Sequence, residues 1–321
     1  MRRAVRALAL AAGALLLVTV LPAPPAPGVG EAATAGLFAE VVPLNAQAPY
    51  ERDWGPLRFL DGWHLTSDDR RFGAISALAV DGDRLLALSD RGVLLRFAPP
   101  PGALVEILPL RGVPGENDSE IGRDSESMSL LGGSLWIGYE NSNEIWRYDS
   151  RSFAAVARAA PSAMERWGAN RGAEALARLP GGRFLAVRED HGADGISEAV
   201  LFLGDPADAA TQAVVLGIDP PGNERITDAA ALPDGRLLML SRRFGAWSGW
   251  TGHLLLAEMP EGSQRRIEVR TLAAFEGPLT RDNMEAIAIG QEGGRTIVWL
   301  ASDDNLFSLQ RTLLLKFEWM G

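Results

Sequence analysis

The sequence predicts an all-β protein, a β-propeller of six blades, and three observations lead to that prediction. A hairpin-like unit recurs about every fifty residues, each unit turns on glycine, and the apolar runs are too short for amphipathic helices. Units of roughly fifty residues that hold three or four antiparallel strands are typical of propellers.

Five segments of the chain align as strand, turn and strand. Their turns are Asp81-Gly82, Gly132-Gly133, Gly181-Gly182, Asp234-Gly235 and Gly293-Gly294. Glycine suits these positions because tight hairpin turns require positive φ angles. A third strand-like run follows each hairpin, at Val93–Phe97, Glu144–Tyr148, Ala199–Leu203, His253–Glu258 and Arg311–Phe317. Each unit is therefore predicted to form one blade.

The stretch before the first unit affects the blade count. Leu57–Leu60 and Trp63–Thr66 are strand-like and could supply a sixth blade or part of one. A ring must also close, and pairing an N-terminal strand with C-terminal residues such as Leu313–Trp319 would remove the open sheet edges. We therefore favour six blades, with five or seven left open.

The first 35 residues differ from the rest of the chain. Three arginines precede an apolar run from Ala7 to Leu21, and prolines and an Ala33-Thr34-Ala35 motif follow. This order predicts a signal peptide over residues 1–35, with an uncleaved anchor as the alternative. The remaining residues, 36–321, are predicted to form a single propeller domain, exported to the periplasm or secreted. No later stretch is apolar enough to span a membrane.

Composition restricts the partners and the chemistry. The formal charge is −10, and it becomes −12 without residues 1–35, which carry three arginines and one glutamate. Such an acidic chain is not expected to bind nucleic acid. The absence of cysteine excludes disulfides, thiolate metal sites and thiol nucleophiles. We expect a monomer that acts on a small molecule.

Acidic residues occupy the same two places in most units. The first strand of each hairpin begins with Ser76, Glu126, Glu174, Asp228 or Glu285, and the second ends with Asp90, Glu140, Glu189, Arg242 or Asp303. These two places share one edge of an antiparallel hairpin. Because first strands line the channel of a propeller, all ten residues are predicted to meet at one mouth. Eight carboxylates there require raised pKa values, arginine partners or a bound cation.

Calcium is the expected cofactor, because this ion takes six to eight oxygen ligands. The predicted metal ligands are Glu126, Glu174, Asp228 and Glu285. The predicted catalytic residues are Glu189 or Asp303 as a base, Arg242 as an anion-contacting group and His191 as a further candidate base. The alternative is a structural ring, in which the acids cap backbone N–H groups or pair with arginines of neighbouring blades.

The repeated segments also carry a family resemblance. They are RFGAISALAVDGDRLLALSDRG (71–92), DSESMSLLGGSLWIGYENSNEIWRYD (124–149), RGAEALARLPGGRFLAVRED (171–190), ITDAAALPDGRLLMLSRRF (226–244) and the DNMEAIAI, WLASDDN and QRTLLLKFEW stretches of 282–319. Together they resemble the phytase-like domain family, an exported bacterial group labelled with an esterase-like activity, over about residues 50–320. The resemblance implies a β-propeller and ester or phosphoester hydrolysis. The acidic strand starts further resemble those of lactonase and SMP-30 propellers, where such acids hold a divalent metal.

The composition argues against phytate as the substrate. A polyphosphate requires a strongly basic surface, whereas Lys316 is the single lysine of this chain and the net charge is negative. The leading hypothesis is an exported, metal-dependent hydrolase of a small ester or phosphoester. The alternative is a non-catalytic binding or scaffold propeller of the cell envelope.

Overall fold

Most of the chain forms antiparallel β-strands. The computed structural model describes residues 30–100, 102–113, 124–168, 171–192 and 194–321. The described residues also include three short 3-10 turns, at Ser162–Met164, Pro180–Gly182 and Pro221–Asn223. Residues 1–29 of the predicted signal peptide lie outside these ranges. No helix among the described residues is long and apolar enough to span a membrane.

The described strands form five blades of four strands each. Blade 1 contains β4 (Ile75–Asp81), β5 (Arg84–Ser89), β6 (Val93–Phe97) and β7 (Leu104–Pro109). Blade 2 contains β8 (Ser125–Leu131), β9 (Ser134–Tyr139), β10 (Glu144–Asp149) and β11 (Ala155–Ala159). Blade 3 contains β12 (Ala173–Arg178), β13 (Phe184–His191), β14 (Ser197–Phe202) and β15 (Ala213–Ile218). Blade 4 contains β16 (Arg225–Ala231), β17 (Leu237–Gly245), β18 (Gly249–Glu258) and β19 (Arg266–Phe275).

Blade 5 combines the two ends of the chain. It contains β20 (Asn283–Glu292), β21 (Arg295–Asp303), β22 (Thr312–Trp319) and, as its outermost strand, β3 (Leu57–Ser67). The N-terminal β3 runs antiparallel to β22, from Leu65 opposite Thr312 to Leu57 opposite Trp319. Two further strands, β1 (Ala33–Val41) and β2 (Asp53–Trp54), pair with β3, and β1 also pairs with β7 of blade 1. The ring is thus closed by strand pairing.

The favoured count of six blades is not confirmed, because the described residues form five. Leu57–Leu60 and Trp63–Thr66 belong to the single strand β3, which completes blade 5 instead of starting a blade of its own. The predicted hairpins are confirmed in all five units. Their glycines have positive φ, for example Gly82 at 66° and Gly133 at 85°.

The hydrophobic core lies between the blades. Five clusters of buried side chains each join two neighbouring blades, and one of them joins blade 5 to blade 1 through Trp299, Leu78 and Leu85. Both faces of a blade are therefore buried, which explains continuous apolar strands such as β5, where Leu85 to Leu88 are all buried. This packing brings the five first strands β4, β8, β12, β16 and β20 around one central channel.

Side-chain hydrogen bonds also connect neighbouring first strands. Ser76 Oγ donates to the carbonyl of Ser125 at 2.7 Å, and Thr227 Oγ1 donates to the carbonyl of Met284 at 3.2 Å. The buried Asp228 accepts two backbone N–H groups, from Ala229 at 2.7 Å and from Ile287 of blade 5 at 2.8 Å. Asp228 thus links blades 4 and 5.

Replacement of Asp228 should therefore lower the stability of the fold. In Asp228→Ala the buried N–H of Ile287 loses its acceptor, and we expect a decrease of about 1–3 kcal/mol in the free energy of unfolding. Urea denaturation measures this change. Asp83→Ala, at an exposed turn position, is the control and should stay within about 0.5 kcal/mol of the parent protein. Equal midpoints for the two variants would contradict the linking role of Asp228.

Candidate functional site

The five first strands begin with the same backbone irregularity. In each blade the register shifts by one residue at the start of the first strand, and the extra residue is Ser76, Glu126, Glu174, Thr227 or Glu285. A bulge of this kind re-aims a side chain that would otherwise follow the pleat of the sheet. Residues further along all five strands, among them Leu78, Met128 and Ile287, line a cavity of about 210 Å³ in the channel. The bulges therefore lie at one end of the channel.

In blade 4 the bulge residue differs from the predicted one. The repeat alignment assigns Asp228 to the ring, but Thr227 is the extra residue and Asp228 lies one position beyond it. Burial raises the pKa of Asp228, and the N–H groups of Ile287 and Ala229 oppose that rise. The contacts of its carboxylate are thus bonds within the scaffold.

The ends of the second strands complete the site as predicted. In each blade the residue before the bulge pairs with a residue near the end of the second strand, and the residue that follows this partner is the predicted one. These residues are Asp90, Glu140, Glu189, Arg242 and Asp303. They form a charged site with the acidic bulge residues and the neighbouring Asp124, and we call this site the acidic mouth: Asp90, Asp124, Glu126, Glu140, Glu174, Glu189, Arg242, Glu285 and Asp303.

Arginine neutralises one side of the acidic mouth. The Arg242 guanidinium forms an ion pair with Glu285, donates to Asn283 Oδ1, and lies 5.2 Å from the ring centroid of Trp250. Asn283 Nδ2 donates to Glu285 Oε1 at 2.7 Å. Burial opposes the charge of Arg242, but Glu285 and the neighbouring glutamates raise its pKa. Blades 4 and 5 thus supply an arginine-paired side.

Carboxylates crowd the other side, on blades 2 and 3. Asp124, Glu126 and Glu140 each place one oxygen within 4.8 Å of the others, and so do Glu140, Glu174 and Glu189. Glu140 belongs to both triads. Among the described residues, no arginine or lysine forms an ion pair with Glu126, Glu140 or Glu174. Glu189 is paired with Arg225, at 2.5 Å.

The crowding shifts the titration of these groups. Burial, followed by hydrogen bonding and repulsion from Asp124, raises the pKa of Glu140 to about 8. Burial and repulsion from neighbouring acids raise the pKa of Glu126 and of Glu174 well above the usual range. Burial is also the main cause that raises the pKa of Asp90 to about 7. These carboxylates therefore hold protons near neutral pH unless a cation replaces them.

The structure does not bring every predicted catalytic residue to the carboxylate triads. His191 lies on β13, where its Nδ1 is 3.2 Å from the carbonyl of Gly192. Asp303 accepts the N–H of Asn305 at 2.7 Å, and burial and Glu285 raise its pKa. Asp303 thus lies beside the arginine-paired side.

Sequence reasoning missed one residue that shapes the mouth. Asp124 lies two positions before the bulge residue of blade 2, and Asn141 Nδ2 donates to it at 2.8 Å. An extension of the repeat alignment by two residues upstream would have found it. A second omission is the buried Glu224, which accepts from Ser241 Oγ at 2.6 Å and lies 2.8 Å from His253 Nδ1.

Comparisons with known proteins place the chain in a family. No curated protein matches it. Two solved structures are similar to the chain. One is a calcium-binding protein, regucalcin, from Agrobacterium tumefaciens strain C58, with 14% identity, 84% of this chain and 92% of that chain covered, and a TM-score of 0.43. The other is the Cps50 (Swd1) β-propeller domain of Myceliophthora thermophila, with 11% identity, 88% of this chain and 99% of that chain covered, and a TM-score of 0.41. The model of the phytase-like family, described as "Esterase-like activity of phytase", matches residues 70–306, and the chain therefore belongs to the phytase-like family.

Proposed function

We propose that the protein is an exported hydrolase of a small ester or phosphoester, with a divalent cation, calcium foremost, at the carboxylate triads of blades 2 and 3. The two triads that share Glu140 are the observation that carries this proposal. Oxygen ligands about 2.3–2.6 Å from one calcium ion lie at most roughly 5 Å apart. The 4.8 Å limit on the oxygens of each triad fits that requirement.

The donor set of the triads also fits a hard cation. All five residues, Asp124, Glu126, Glu140, Glu174 and Glu189, offer carboxylate oxygens, which calcium prefers over nitrogen or sulfur ligands. This set differs from the predicted ligands, since it adds Asp124, Glu140 and the predicted base Glu189, and leaves Asp228 and Glu285 to other partners. When bound, a divalent cation would polarise the ester and lower the pKa of a water molecule.

Side chains around the triads suit the remaining tasks of a hydrolase. Asp90 is the best candidate base, because its pKa is about 7 and its side chain is 38% exposed. Proton transfer is most efficient when the pKa of the base lies near the working pH. Arg242 can contact an anionic group of the substrate, although it also pairs with Glu285. The alternative bases, Glu189 and Asp303, are bound to Arg225 and to the N–H of Asn305.

The rival is a non-catalytic binding or scaffold propeller. Its support is the Arg242 and Glu285 ion pair and the bonds of Asp228, which serve the structure of the ring without any chemistry. Export, a monomeric state and removal of a signal peptide are part of the main proposal. The predicted cleavage after Ala35 would remove the first three residues of β1, since Ala33 to Gly36 pair with Ile107 to Leu104 of β7. Cleavage is therefore proposed to occur before Ala33.

Calcium binding should depend on Glu140. Because this residue belongs to both triads, Glu140→Gln removes one negative charge from each, and we expect roughly tenfold or weaker calcium affinity. Isothermal titration of the metal-free protein measures the affinity, and native mass spectrometry measures the stoichiometry. The control Glu258→Gln changes an exposed glutamate on the outer part of blade 4. Unchanged affinity in Glu140→Gln, or no calcium binding by the parent protein, would refute the site.

Without metal, stability should fall as the pH rises from about 4.5 to about 8. The unfolded protein releases the Glu140 proton near 4.5, whereas the folded protein keeps it up to about 8. In that window the folded state binds more protons, so a rise in pH favours unfolding. Thermal melts in chelator across this range should show a shallower decline for Glu140→Gln. A melting temperature that instead rises toward pH 8 would contradict the raised pKa.

Hydrolysis should require both the cation and Asp90. Ester, lactone and phosphoester panels should give turnover with calcium and none with chelator. Asp90→Asn should lower kcat by roughly 10²–10⁴-fold, as expected for loss of a general base. Its calcium affinity should change less than that of Glu140→Gln. Inactivity of the parent protein on every class, with and without metal, would favour the binding propeller.

A further inference from the structure

A second pocket, of about 460 Å³, opens between the outer strand of blade 5 and the loops that follow β5 and β21. Arg70, Arg91 and Arg311 contribute its positive charges, and Phe72 and Phe307 contribute apolar surface. Arg91 directly follows Asp90 of the acidic mouth, and the lining residue Asp304 directly follows Asp303. We call this cavity the arginine pocket. It is adjacent in the chain to the acidic mouth at two points.

The two carboxylates in the wall of the arginine pocket are already occupied. Asp69 is bound by Arg71, with an oxygen-to-nitrogen distance of 2.7 Å. Asp304 accepts the N–H groups of Ala74 and Leu306, both at 2.9 Å, and the hydroxyl of Thr312 at 2.8 Å. These carboxylates therefore act as structural supports for the loops around the pocket.

The arginines of the arginine pocket are less fully paired than its carboxylates. Arg70 is exposed and forms no ion pair with any residue that the structure describes. Arg91 lies 3.9 Å from Asp90, which is beyond hydrogen-bond distance, and its side chain is 28% exposed. Arg311 pairs with Asp282 at 3.2 Å but keeps 40% of its side chain exposed. Positive charge thus remains available inside a concave, partly apolar site.

We propose that the arginine pocket binds an oxyanion, a carboxylate or a phosphate, carried by a small apolar group. A guanidinium offers a planar pair of donors that matches either anion, and arginine is the usual residue for this recognition. Phe72, Leu306 and Phe307 provide apolar contact for the rest of the ligand. Binding of the oxyanion to the arginine pocket is expected to be independent of the cation. The pocket would also hold an anionic substituent of the substrate, and this second role rests on the proposed hydrolase function.

The test measures binding in chelator, so that its result is separate from any hydrolysis. Benzoate and phenyl phosphate serve as probes, benzyl alcohol serves as the neutral analogue, and saturation-transfer NMR and calorimetry report affinity. We expect both anions to bind and the alcohol to bind at least roughly tenfold more weakly, because a charge-assisted hydrogen bond is lost. Comparison of the two anions identifies which oxyanion the pocket prefers.

Arginine variants locate the binding. Arg91→Gln and Arg70→Gln should each weaken the preferred anion by roughly tenfold. Arg295→Gln is the matched control, since Arg295 lies at the β20–β21 turn and pairs with Glu318. Equal affinity of the three variants, or equal binding of anions and alcohol, would overturn the proposal. Anion binding that is lost in Arg91→Gln, in a protein inactive on every ester, would leave the pocket valid and refute the hydrolase.

Discussion

The acidic mouth depends on one electrostatic constraint: carboxylates that converge at the end of a narrow channel must be neutralised. The convergence follows from the fold, because five first strands begin around one axis and each begins with a bulge. Burial removes the water that would stabilise the charges, and isolated buried charges are costly. The protein meets the constraint differently on its two sides. Blades 4 and 5 use Arg242, whereas Glu126, Glu140 and Glu174 of the triads form no ion pair with an arginine or lysine among the described residues.

This asymmetry follows from substitutions at equivalent positions. At the end of the second strand, blade 4 has Arg242 where blades 2 and 3 have Glu140 and Glu189. At the bulge, blade 4 has Thr227 where blades 2, 3 and 5 have glutamate. At these two positions blade 4 thus has a cationic side chain and a hydroxyl, where blades 2 and 3 have glutamates. Glu285 is neutralised by Arg242, whereas Glu126, Glu140 and Glu174 form no ion pair among the described residues and keep protons that a cation can replace. One side of the ring can serve structure while the other side is available to a cation.

Much of this arrangement was predictable from sequence, because hairpin turns that require glycine recur and mark each blade. The second-strand residues were aligned correctly in all five blades. The closing pair is also predictable, because a ring of strands leaves no open edge, and β3 pairs with β22 as expected. The blade count is not, because Leu57–Leu60 and Trp63–Thr66 belong to the single strand β3, which completes blade 5. Asp228 was assigned to the ring because Thr227 and Asp228 are both polar, and only the backbone register distinguishes them. Asp124 was missed because it precedes the strand that carried the repeat pattern.

The same first strands that converge at the mouth also line the channel beyond it. Past the bulges the lining is made of apolar residues such as Leu78, Met128 and Ile287, together with Ser129 and the cationic Arg178. No carboxylate belongs to this described lining, whereas the carboxylate triads lie at the bulges. The acidic groups are thus concentrated at one end of the channel. A cation would therefore be held by the carboxylate oxygens of blades 2 and 3 and not by the channel wall, because a hard cation requires oxygen ligands.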